Sequence, residues 1–210
     1  MEVMLPDNFN RDTMYRFISK IIGFDKRPIS HTFDFDFSNL KFISPVGVTV
    51  LSNFHEWLVR RDVTVRYKLP PLEDWDNRKA LSYLDDSLYF EQHIGEKRRP
   101  NANPRETTQP LTFVEMDESY QWFEKIINWL SIRLKVSRSS LAGLKMCLQE
   151  IFMNIKDHSN ESLGCAFIQH FPYQNTVTIA ISDFGVGIPH TISKTQPSLN
   201  DAQCIVKATE

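Results

Sequence analysis

The sequence predicts a mixed α/β chain built in two parts, and three patterns carry that reading. Phe33, Phe35 and Phe37 alternate with Asp34 and Asp36, the two-residue period of a strand with one buried face. Val50, Phe54, Trp57 and Leu58 then recur at helical spacing. Beyond a proline-rich stretch, a long helix-periodic segment leads into two more strand-like runs at 165–171 and 177–182. Alternation of the two periods along one chain is the pattern of a layered α/β architecture.

Element by element, residues 10–22 place Met14, Phe17, Ile18, Ile21 and Ile22 at helical intervals. The phenylalanine strand follows. The helix after it ends in Arg60 and Arg61, cations suited to the negative end of a helix. Val63, Val65 and Tyr67 form a short strand that Pro70 and Pro71 stop. These elements make a small domain over residues 1–95. Residues 96–110, EKRRPNANPRETTQP, hold three prolines and almost no large apolar side chain, and they predict a linker. Its run Lys97, Arg98, Arg99 reads as a solvated stretch of that linker. A second domain over 111–210 opens with a strand at 110–116. A helix at 117–134 follows, with Trp122, Ile126, Trp129 and Ile132 among its apolar positions. The next helix, 139–159, has Ser139 or Ser140 as its N-cap.

Composition narrows the function. A chain of 210 residues, 41% hydrophobic and 24% charged, is ordinary for a globular protein, and its 15 phenylalanines supply core volume. A formal net charge of −2 gives no whole-molecule reason to bind nucleic acid or an anionic membrane. Cys147, Cys165 and Cys204 form no CxxC pair and read as reduced thiols rather than zinc ligands. The first ten residues lack the basic start and apolar run of a signal peptide. No stretch approaches the roughly 20 apolar residues that span a bilayer. A cytoplasmic protein with no membrane association is expected.

The helix at 139–159 carries the chemistry. Leu141, Leu144, Leu148, Ile151 and Ile155 form a stripe directed to a core. Glu150, Asn154 and His158 sit at i, i+4 and i+8 on an adjacent face, so a carboxylate, an amide and an imidazole line up along the helix. After the strand at 177–182 comes Asp183-Phe184-Gly185-Val186-Gly187-Ile188-Pro189. An aspartate at a strand end can accept a hydrogen bond from an exocyclic amine. The glycines permit positive φ and let the backbone approach a flat ligand. Taken singly, these residues are also what a solvated helix face and a plain turn contain.

Two resemblances follow. Residues 31–69, with FDFDFSNLKFISPVGVTVLSNFHEWLVRR, resemble a STAS domain, the fold of anti-sigma factor antagonists, with Gly47 at the family's glycine position. Where regulatory members present a phosphorylatable serine this chain has Pro45, and Ser44 lies one residue away. Plain turn chemistry is the expectation for both.

Glu150-x-x-x-Asn154-x-x-x-His158 followed by Asp183-x-Gly185-x-Gly187 resembles the N box and first glycine box of the GHKL superfamily, which includes anti-sigma factor serine kinases, histidine kinases, Hsp90, MutL and gyrase-type topoisomerases. The resemblance implies an incomplete Bergerat-fold α/β sandwich over 111–210 that binds ATP and Mg2+. It assigns Glu150 as general base, Asn154 as the Mg2+ ligand, Asp183 to the adenine amine, Gly185 and Gly187 to the adenine pocket, and His158 to the phosphates. The last glycine is Gly187, so the superfamily's second glycine box is missing from these residues. The segment 201–210 resembles the helix that precedes that box. Residues 190–210 are expected to be disordered or exchanged between subunits.

The expected function is an ATP-binding regulatory protein, a GHKL ATPase or serine kinase with a STAS-like domain in cis. It would have a regulatory protein partner and a capacity to self-associate. An interaction module without catalysis is the alternative. A DNA-linked ATPase is disfavoured by the charge.

Overall fold

The computed structural model describes residues 1–158, 163–183, 185 and 187–208; the side chains of Asp76, Met116, Asp157, His158, Leu163 and Ile188 lie outside the description. It shows a mixed α/β chain with several sheets. The chain runs β1 (Glu2–Met4), β2 (Asn8–Phe9), α1 (Met14–Ile18), β3 (Thr32–Asp36), β4 (Phe42–Ile43), α2 (Pro45–Val59) and β5 (Thr64–Lys68). It continues with α3 (Lys79–Asp86), α4 (Tyr89–Ile94), β6 (Thr108–Glu115), α5 (Ser119–Leu134), α6 (Ala142–His158), β7 (Leu163–Phe171) and β8 (Thr176–Asp183). Two short helices close it, α7 (Gly187–Ser193) and α8 (Asp201–Lys207).

The chain divides into two compact units, Met1–Thr112 with Cys165–Ser182, and Phe113–Gly164 with Asp183–Glu210. These units cut across the boundaries expected from sequence, because most of β7 and β8 groups with the N-terminal residues.

In the first unit, β1, β3 and β5 form a parallel sheet in the order β1-β3-β5, with Phe35 opposite both Val3 and Tyr67. Phe33, Phe35 and Phe37 are fully buried, as their alternation predicts. Asp36 departs from the pattern: it is 1% exposed rather than facing water. Its carboxylate accepts from the Ser38 backbone N–H at 2.8 Å and pairs with Lys68 Nζ at 3.0 Å. Burial acts to raise its pKa, but hydrogen bonds from Ser38 and Lys68 prevail and hold it down at about 2. Aromatic rings fill the space between helix and sheet, with Phe17 edge-on to Phe35 at 5.1 Å and Phe54 stacked on Phe35 at 6.4 Å.

The expected helix at 10–22 shrinks to the five residues of α1, yet Met14, Phe17 and Ile21 are all buried. α2 starts as its sequence demands. Ser44 is the N-cap, its Oγ accepting from Gly47 N at 3.1 Å, and Pro45 occupies the first helical position, where no N–H is needed. Gly47 is required by space: a Cβ there would stand 2.5 Å from the Phe9 carbonyl oxygen and 3.0 Å from Ile43 Cγ1. The backbone of α2 therefore lies directly on the β2–β4 pair.

The stretch expected to be a solvated linker is instead strapped to α3. Asp85, fully buried, accepts from the backbone N–H groups of Arg98 and Arg99 at 2.9 Å each and from Arg99 Nε at 3.2 Å. Arg99 also reaches Ser82 O at 2.9 Å and Asp86 at 2.5 Å, and Ala102 is fully buried. The basic run thus supplies the partners that a buried carboxylate needs.

The second unit is built on α5 and α6. Phe123, Ile126, Ile127 and Leu130 of α5 are buried, while the expected apolar position Ile132 is 71% exposed. α6 begins at Ala142, after a 3₁₀ turn at Ser139–Leu141; Ser137 Oγ, not Ser139 or Ser140, accepts the local backbone bond, from Ser140 N at 3.2 Å. Its buried stripe is Leu148, Phe152 and Ile155; Ile151 is 42% exposed, so Phe152 takes the place expected of Ile151. Phe152 meets Phe123 edge-on at 5.2 Å, and a Cβ on Gly164 would press on Phe152 and Ile155 at 3.3 Å. Lys145 and Arg138 both bind the Glu124 carboxylate. α8 carries a full capping box, Asn200 accepting from Gln203 N and Gln203 accepting from Asn200 N, each at 2.9 Å.

Candidate functional site

The residues assigned from sequence to the nucleotide site all fall in the second unit. Glu150 and Asn154 lie one helical turn apart on α6, and both are exposed. Their exposure follows from the stripe beside them: Leu148, Phe152 and Ile155 turn inward, which turns positions 150 and 154 outward. Asp183 is the last residue of β8 and is exposed; its Oδ1 accepts from Gly185 N at 2.6 Å, so the carboxylate folds over the turn that follows it. Gly187 has φ +81°, the left-handed region, and opens α7. α7 packs on both α6 and α8. The His158 side chain lies outside the described residues, as do Phe184 and Val186. Among the described residues, no hydrogen bond or ion pair joins Glu150, Asn154 and Asp183 to one another.

The chemistry available is therefore a free carboxylate and a free amide on one helix face, and a carboxylate clasping a glycine turn at a strand end. These are oxygen donors, the kind a hard cation such as Mg2+ accepts alongside phosphate and water. Among the described residues no group of three or more His, Cys, Asp or Glu is placed to hold a metal.

A second polar cluster carried no sequence signal, and it lies inside the first unit. Cys165 Sγ donates to Ser52 Oγ at 3.7 Å, and Ser52 Oγ is 2.8 Å from His93 Nε2. The Ser52 hydroxyl can both donate and accept, so it links the thiol to the imidazole in either tautomer of His93. The His93 and His55 rings lie 4.3 Å apart, His55 Nδ1 meets Tyr67 Oη at 2.5 Å, and Tyr67 Oη meets Tyr89 Oη at 3.2 Å.

Burial sets the protonation of each member. It lowers His55 to about 4 and, with the charge of His55 adding to the effect, His93 to about 3. It pushes the Cys165 thiol up to about 12 and raises both phenols. Every group in the chain from Cys165 to Tyr89 is neutral at pH 7. The cluster is thus a buried, uncharged hydrogen-bonded network within the first unit. Its members lie at positions 52, 55, 67, 89, 93 and 165, too scattered for any spacing rule to find.

The three cysteines are unpaired, Cys165 and Cys204 buried and Cys147 exposed. No helix of the described residues is long and apolar enough to cross a membrane. Comparison with protein-family models, curated proteins and solved structures finds no match to this chain.

Proposed function

We propose that this chain is an ATP-binding regulatory protein of the anti-sigma factor serine kinase type, with the nucleotide held on the second unit and a STAS-like first unit in cis. The observation that carries the proposal is the exposure of Glu150 and Asn154, one turn apart on α6, in the same compact unit as Asp183 and its glycine turn. Exposed polar side chains at a helix surface are ordinarily hydrated, so what supports the reading is their spacing and their unit rather than exposure alone. Asp183 spends one oxygen on Gly185 N, leaving the other to accept an amine.

In this reading Asp183 takes the adenine amino group while Gly185 and Gly187 leave room for the flat base. Asn154 holds Mg2+ through its side-chain oxygen, and Mg2+ when bound neutralises phosphate charge. Glu150 accepts the proton of the attacking water or hydroxyl as general base. His158 is assigned to the phosphates by position alone. A cytoplasmic setting and a regulatory protein partner belong to the same proposal.

Calorimetric titration of Mg-ATP into the chain, beside Asp183→Ala and Glu150→Gln, tests it. Binding in the micromolar range is expected, lost in Asp183→Ala and retained in Glu150→Gln, with phosphate release or protein labelling abolished in the latter. A folded chain that binds no Mg-ATP overturns the reading.

A second reading is a protein-interaction module, gated by ATP or independent of it. The exposed apolar side chains of α6 favour it: Met146 is 66% and Met153 53% exposed, on the helix that also carries Glu150. A partner captured equally by wild type and Asp183→Ala would favour that module over the enzyme.

A further inference from the structure

The first unit carries a cavity that the nucleotide reading leaves unused. Its volume is about 340 Å3, within the range of small-molecule sites, and its walls come from β4, α3, the loop before β6 and the end of β7. Three cations line it, Lys41, Lys79 and Arg105, together with the rings of Phe42, Tyr83 and Phe171; no carboxylate does.

The charges do not cancel. Arg105 donates through Nε to Asp86 Oδ2 at 3.0 Å, and Arg99 is held by Asp85 and the other oxygen of Asp86, so the two carboxylates offset the two arginines. Lys41 and Lys79 have exposed side chains and no ion-pair partner among the described residues. Two positive charges are left at the cavity, matching the charge of a phosphomonoester dianion near neutral pH. Arg105 adds terminal N–H groups with no hydrogen-bond partner among the described residues, a fork suited to phosphate oxygens. Pro45, the first residue of α2, also borders the cavity, so the positive end of a 15-residue helix contributes to the same field.

The walls define the rest of the ligand. Phe42 is 51% exposed although it lies in a strand beside a buried core. Tyr83 is fixed in place, its hydroxyl donating to Gln169 Oε1 at 3.1 Å while the Arg105 guanidinium stands 5.2 Å over its ring. Gln169 is itself buried and donates to Thr107 Oγ1 at 3.1 Å and His170 O at 2.7 Å, so this wall is rigid. A half-exposed ring, a clamped ring and a cationic rim suit an anionic head attached to a flat apolar body.

We propose that this cavity binds a small phosphomonoester whose phosphate rests on Lys41, Lys79 and Arg105 and whose ring lies against Phe42 and Phe171. The site is separate from Glu150, Asn154 and Asp183 and does not depend on the nucleotide proposal.

Phenyl phosphate is the probe, titrated into the full chain at low salt and followed by calorimetry or amide chemical shifts. Saturable binding is expected. Lys41→Glu with Lys79→Glu, both exposed and therefore tolerated by the fold, weakens it at least about tenfold. Phe42→Ala weakens phenyl phosphate about fivefold and leaves inorganic phosphate unchanged, since only the ring contact is removed. Asp183→Ala has no effect. Absence of saturable binding up to about 10 mM overturns the proposal. So does an affinity that survives the double charge reversal, or equal affinity for phenyl phosphate and inorganic phosphate.

Discussion

Acidification should destabilise the first unit well before its carboxylates protonate, and the buried histidine pair sets the size of the effect. His55 and His93 titrate at about 4 and about 3 in the fold, against 6.5 when exposed. A base with a depressed folded pKa binds its proton more readily when unfolded, so stability falls as pH drops through 6.5 and keeps falling to the folded values. Between pH 7 and pH 5 each histidine costs about 1.8 kcal/mol, from about 1.36 kcal/mol per pH unit. Together they remove about 3 to 4 kcal/mol, a large share of the roughly 5 to 15 kcal/mol that holds a domain folded. Asp36 does not contribute here. Its folded value of about 2 lies below the ordinary aspartate value of 3.8, so its stabilisation is lost only below about pH 4.

Urea titrations at pH 7, 6 and 5, followed by circular dichroism, would measure the loss. The double variant His55→Gln with His93→Gln removes both titrating rings while keeping polar groups near Ser52 and Tyr67. It should be less stable at pH 7 but lose most of the pH dependence. If wild type is as stable at pH 5 as at pH 7, or the double variant keeps the same slope, the two rings are not neutral in the fold and the reasoning fails.

Two further substitutions probe the framework. Gly47→Ala drives a methyl to 2.5 Å from the Phe9 carbonyl, and the overpacking should cost about 1 to 3 kcal/mol despite alanine's better helix propensity; an unchanged or raised melting temperature would show that β2 can move away freely. Asp85→Ala strips the acceptor from Arg98 N, Arg99 N and Arg99 Nε, and breaking one partner of a buried pair costs about 3 to 5 kcal/mol. Trypsin should then cut at Lys97, Arg98 or Arg99 far faster than in wild type, and unaltered cleavage would mean that something other than Asp85 holds the strap.

The sequence showed best where one physical rule governs a long stretch. The alternation of Phe33, Phe35 and Phe37 and the helical period through Phe54 and Leu58 both translate directly into buried faces. Asp36 was misread as solvent-facing because alternation cannot reveal a lysine arriving from the neighbouring strand, 32 residues later in the chain. α3 and α4 were missed because Leu88, at φ +65°, splits them into pieces too short to show a period. Ile151 and Phe152 are equally apolar neighbours, and only packing against Phe123 decides which one turns inward. The strap at 96–105 has the composition of a linker, and its order comes from Asp85, an anion outside it.

Of the site, the motif residues were legible as a pattern: Glu150 and Asn154 lie on the helix expected for them and Asp183 at the strand end. Gly187 instead opens α7, and α7 and α8 run through the segment 190–210 that was expected to be disordered or exchanged, because Asn200 and Gln203 cap α8 and α7 packs on α6 and α8. The basic cavity was not legible. Lys41, Lys79 and Arg105 come from separate segments, and only the folded chain shows that Asp85 and Asp86 engage the arginines and leave the lysines unengaged.

The first unit leaves the chain at Thr112 and resumes at Cys165. Its interior includes Cys165 against Ser52, Phe167 edge-on to Tyr83, and Ser182 bonded to Asn53. On a ribosome, residues 1–112 would therefore emerge with gaps where β7 and β8 belong, and would wait for 52 intervening residues before closing. During that interval the apolar surface awaiting those strands is open to other chains, so the pace of synthesis would bear on the yield as well as the final stability does.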